Sequence, residues 1–209
     1  GKFALTRAQA RSVKQMIEKN DADDIEMKYV DITYDKSVTD SMGNVGVIHS
    51  TEIERGDASN ERIGQEVLVK SLYLKLIFRN ADTSNALRLV LFIDRNAKNN
   101  LNIYPTLAEV FEYGTGTHTI DQRLMSPLNL LQNKGRFKIL YDKYIQIDTD
   151  DSQFIVEEYF KLNVLKTYLR ATGANSDGKN SIYVGCYSDS GAATHPTVTG
   201  WSRVGYTDS

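Results

Sequence analysis

Hydrophobic and polar residues alternate through most of the chain, most clearly from Glu66 to Arg79. Leu68, Leu72, Leu74, Leu76 and Phe78 share one parity there, and Ser71, Lys75 and Arg79 the other. Period-two alternation marks a strand with one buried face. The same rule predicts further strands over 28–35, 45–49, 87–94, 136–148, 155–169, 181–188 and 201–207. Phe137, Ile139 and Tyr141 fall on one face of the fifth strand, and Phe160, Leu162 and Val164 on one face of the sixth. Eight strands between turn signals, with no internal repeat, predict an all-β antiparallel sandwich. Pattern alone leaves the jelly roll and other sandwiches equally open.

Two stretches break the alternation. From Thr6 to about Lys19 the period is helical, with Thr6 as N-cap. Ala10, Val13, Met16 and Ile17 fall on one face, and Arg7, Arg11, Lys14 and Glu18 nearly opposite. The second stretch, 101–133, is a long loop. Pro105 is placed there to start one helical turn over Thr106–Phe111. Loops of this length in a compact domain are usually functional. Its Leu124, Met125, Leu128, Leu130 and Leu131 either pack on a neighbour or fold over their own core. The acidic run Asp148–Asp151 reads as a solvated hairpin tip, because it lacks the central glycine and distal glutamate of an EF-hand.

Composition adds limits. At 209 residues the chain is of single-domain size, with 41% hydrophobic and 25% charged residues. No apolar run approaches the length of a membrane span. The net charge of −2 argues against a strongly basic nucleic-acid binder, but its distribution is uneven. Lys2, Arg7, Arg11, Lys14 and Lys19 make the first residues basic, and Asp21, Asp23, Asp24 and Glu26 follow at once. That asymmetry is the mark of an interaction arm, so we divide the chain into a basic arm over 1–26 and a sandwich domain over 27–209.

Candidate chemistry is sparse. His49, His118 and His195 are far apart in sequence, with no metal-ligand spacing. The single cysteine, Cys186, excludes an intramolecular disulfide and reads as a small core residue. No Asn-x-Ser/Thr site suggests glycosylation, and Arg55-Gly56-Asp57 reads as a turn rather than an adhesion motif. No catalytic triad order or glycine-rich phosphate loop is present, so an enzyme is disfavoured.

Several blocks in order resemble the coat protein of satellite tobacco necrosis virus and related small coat proteins. They are Ser12–Ile17, the G-D-x-x-N-x-R-x-G pattern of Gly56–Gly64, then RLVLFIDRN (88–96), PTLAEVF (105–111), RFKILYD (136–142) and the terminal Tyr206–Asp208. Coat proteins of small circular single-stranded DNA viruses share the same architecture. The resemblance implies an eight-stranded jelly roll preceded by an N-terminal helix. It implies a non-enzymatic capsid protein, self-assembling into a small T=1 icosahedral shell in the virion and made inside the host cell. It further implies that Lys2, Arg7, Arg11 and Lys14 contact packaged genome without reading sequence, and that Asp57 and Asp208 help bind calcium between subunits. The alternative class is a trimeric jelly-roll module that binds carbohydrate or a receptor.

Overall fold

The computed structural model describes residues 26–43, 46–81, 83–96, 104–114, 118–128, 135–169, 178–191 and 194–208. The predicted helix over Thr6–Lys19 lies outside them. All eight predicted strands are present: β1 (Lys28–Ser37), β2 (Val47–His49), β3 (Glu66–Arg79), β4 (Ser84–Asp94), β5 (Phe137–Asp148), β6 (Gln153–Thr167), β7 (Ser181–Ser188) and β8 (Thr197–Asp208). They form two four-stranded antiparallel sheets, ordered β1-β8-β3-β6 and β2-β7-β4-β5. Successive strands cross between the sheets at every connection except β4–β5, which are paired neighbours in the second sheet, as in the jelly roll.

The inner faces meet in one core. Leu72, Leu74, Leu76 and Phe78 from β3 oppose Leu87, Leu89, Leu91 and Ile93 from β4, with Ile182, Val184 and Cys186 from β7. Tyr34 crosses this core and its hydroxyl bonds Ser50 Oγ and Ser202 Oγ, each at 2.9 Å. Burial pushes that phenol up to about 12, so it stays a neutral hydrogen-bonding group.

Strict alternation fails at two bulges. Between Val69 and Ser71 the register of β3 shifts against both neighbours. Val67 and Val69 therefore face the core ahead of Leu72, and Leu68, predicted on the core face, is only partly buried outside the core cluster. An extra residue in one strand reverses the parity of everything on one side of it. In β5 the partner of Leu91 is Tyr141 and that of Phe92 is Ile139. Phe137 and Ile139 then face outward, while Tyr141, Ile145 and Ile147 face the core. The single face expected for Phe137, Ile139 and Tyr141 is split for this reason.

The outer face of the second sheet is covered by the chain itself. Helix α1 (Leu107–Val110) and helix α2 (Ile120–Leu124) lie in the segment that packs Leu107, Val110, Phe111 and Leu124 onto Val90, Phe92, Tyr183 and Tyr187. Thr106 caps α1 in a capping box with Glu109. Pro105 thus precedes the cap, two positions before the first helical residue, Leu107. Arg88 fastens the segment from below. Its guanidinium pairs with both oxygens of Asp142 (2.8 and 2.6 Å) and donates to the carbonyls of Leu124 and Ser126 (2.9 and 2.7 Å). Leu124 and Leu128 therefore fold over their own core, while Met125 is exposed.

The acidic turn also differs from expectation. β5 pairs with β4 and β6 with β3, so Asp148–Asp151 links the two sheets instead of closing a hairpin. Asp148 Oδ1 accepts from the backbone N–H of Asp150 and Asp151, both at 2.9 Å, which makes the turn self-capped.

Candidate cation site and subunit surface

The loop between β2 and β3 carries the first candidate ligand. Glu61 packs its carboxylate against Gly56, where a Cβ would lie 2.0 Å from Glu61 Oε2 and would displace that side chain. That carboxylate accepts from Ala58 N–H at 2.9 Å and folds the loop tightly. Arg62 anchors it: the side chain is fully buried, donates to the Ile53 carbonyl at 3.1 Å, and stacks on Tyr168 with 4.0 Å to the ring centre. The arginine of the G-D-x-x-N-x-R-x-G block is thus a structural post. Asp57 is left exposed at the turn.

The second candidate, Asp208, ends β8 at the same corner of the molecule. Its Oδ1 accepts from Ile63 N–H at 3.2 Å, and its Oδ2 lies 2.9 Å from Lys28 Nζ. Lys28 also donates to the Glu61 carbonyl at 3.0 Å. Glu26, Lys28, Ile63 and Asp208 line a shallow cavity here. The sequence offered no signal for Lys28 beyond its place at the start of a strand. Among the described residues, no three His, Cys, Asp or Glu side chains converge as a metal site.

The histidines are dispersed, as their spacing suggested. His49 is buried against Tyr183, with ring centres 4.9 Å apart, and its Nε2 meets Thr51 Oγ1 at 3.1 Å. Burial first, and the charge of Lys166 second, hold it well below the ordinary histidine range. It is a buried residue packed beside an aromatic ring. His118 stacks on Tyr113, and His195 meets Ser190. Cys186 is buried as expected, and burial pushes its thiol up to about 12.

The outer face of the first sheet is different. Ile77 pairs with Ile155 and Tyr73 with Tyr159 across β3 and β6, and Tyr73 lies 5.2 Å from the ring of Trp201 on β8. Ile155 and Tyr159 are 54% and 65% exposed, so this face is open within one subunit. Four of its charges pair within the sheet, Lys75 with Glu157 at 3.2 Å and Arg203 with Asp31 at 2.7 Å, and Asp35 and Lys161 are exposed beside them. Large apolar side chains exposed on one face suit contact with another surface more than solvent. The arm residues Lys2, Arg7, Arg11 and Lys14 lie outside the described residues.

The strand order defines a jelly roll, an architecture shared by viral capsid, lectin and cupin domains. The sequence decides among them: the model of the family described as satellite tobacco necrosis virus coat protein matches residues 2–209. The chain belongs to that family and is a viral coat protein, a component of the virion. No curated protein matches it. Solved structures that resemble it include three virus particles. A chain of heated full particles of Israeli acute paralysis virus is 12% identical, covering 88% of this chain and 68% of that chain, with a TM-score of 0.38. A chain of a marine algae virus of the order Picornavirales is 13% identical (88% and 69% covered, TM-score 0.28). A chain of the infectious bursal disease virus VP2 subviral particle is 13% identical (88% and 42% covered, TM-score 0.18).

Proposed function

We propose that this coat protein assembles, without catalysis, into a closed icosahedral shell of the simplest T=1 kind, with roughly sixty copies. The family match over residues 2–209 carries this reading. Assembly takes place in the host cell and encloses the viral genome. The basic arm over 1–26 supplies Lys2, Arg7, Arg11 and Lys14 to phosphates, and the domain over 27–209 forms the wall. Contacts of this kind neutralise charge and release counterions without reading bases, so they suit RNA and DNA alike.

Subunit cohesion comes from buried apolar surface. The open face with Ile155 and Tyr159 supports this, since a second copy would remove it from water at about 25 cal/mol per Å². Calcium at Asp57 would be shared by copies of this exposed loop around a symmetry axis, because one carboxylate cannot fill the shell of a hard cation. The direct test is packaging: R7E, R11E and K14E combined should give empty or aberrant shells. Normal packaging by that variant rules out the assignment of the arm to the genome.

A further inference from the structure

Calcium takes six to eight oxygens from carboxylates, carbonyls and water at about 2.3–2.6 Å. Two such oxygens converge where β1, β8 and the β2–β3 loop meet: the Glu61 carbonyl and Asp208 Oδ2. The group between them is Lys28 Nζ, at 3.0 Å from the first and 2.9 Å from the second. The other oxygen of Asp208 accepts from Ile63 N–H at 3.2 Å, which fixes how the carboxylate points. The Lys28 side chain is only 9% exposed, and its backbone is locked opposite Tyr206 in the β1–β8 ladder. An ammonium and a divalent ion that share the same two oxygens at these distances would nearly coincide. The donor set therefore does not fit a metal at Asp208 while Lys28 is in place.

We propose that Lys28 is the built-in cation of this corner. Its ammonium stands where a metal would bridge the Glu61 carbonyl and the Asp208 carboxylate, so the junction of arm, loop and last strand holds without calcium. A lysine here also ties the start of β1 to the end of β8 without a bound ion. Removing the ammonium would leave Glu26, Asp208 and the Glu61 carbonyl around one cavity, an oxygen set suited to a hard cation.

Thermal unfolding of the full chain, run in millimolar calcium and in chelator, tests this. Any calcium effect on wild type should be the same in D208N, because none of it passes through Asp208. K28M should unfold several degrees lower in chelator and regain part of the loss in calcium, while K28R should restore the wild-type response to calcium. Wild-type stabilisation by calcium that disappears in D208N overturns the proposal, and so does a K28M variant with wild-type stability. A calcium effect that survives D208N but is lost in D57N places the ion on the loop and leaves Lys28 as assigned.

Discussion

His49 shows how one buried side chain ties stability to pH. It is 2% exposed and held neutral, with its pKa depressed in the fold, whereas in the unfolded chain it titrates near 6.5. A depressed folded value means that the unfolded state binds the extra proton first. Its stabilising effect is therefore complete above about pH 6.5 and is lost as pH falls below that. H49Q should show a correspondingly shallower decline than wild type when denaturant unfolding is measured at the two pH values. Parallel declines in the two proteins would remove His49 from this role. Burial of this residue was not legible in the sequence, because a three-residue strand carries too little pattern to show which way it faces. Arg62 and Lys28 are similar cases: both looked like loop or strand-end charges, and their partners come from Ile53, Tyr168, Glu61 and Asp208. Only the arginine had a signal, its place in the recognised block.

Among the elements, the strands were legible because alternation records burial directly. The errors lie where a bulge resets the parity, at Val69/Ser71 and opposite Leu91/Phe92. A bulge leaves little trace in a sequence whose faces are both partly apolar. The covering segment over β4, β5 and β7 was legible only as a long loop with many leucines. What fixes it is Arg88, a charge inside an otherwise apolar strand that binds Asp142 and two helix-end carbonyls. R88M removes the donor to the buried Ser126 carbonyl, leaves the Leu124 carbonyl only the Tyr187 hydroxyl and frees the exposed Asp142, and should cost about 2 kcal/mol. Hydrogen exchange should show protection lost first around α1 and α2; uniform loss across both sheets would contradict the fastening role. On the opposite sheet, the open face makes a separate prediction. I155D with Y159D should keep the fold and the melting temperature within a few degrees, since both positions are exposed, yet block assembly. Particles formed normally by the double variant would exclude this face as a contact.

For the whole molecule, the jelly roll follows from eight strands and their order, but the choice of function does not follow from the fold. Capsid and lectin domains use the same two sheets, and the decision came from short blocks spread over nearly the full chain. The loops that separate those blocks kept their roles hidden, because a cation corner or a subunit contact is built from residues of several elements or several copies. Asp57 and Asp208 are an example: the resemblance implied calcium between subunits for both, and within one subunit the first lies on an exposed turn and the second beside Lys28. The central claim is assembly around nucleic acid. The native mass of the expressed full chain, by light scattering with absorbance at 260 nm, addresses it most directly. A uniform particle on the order of a megadalton that carries nuclease-sensitive cargo is expected. A monomer or trimer free of nucleic acid at every concentration and salt tried would contradict it.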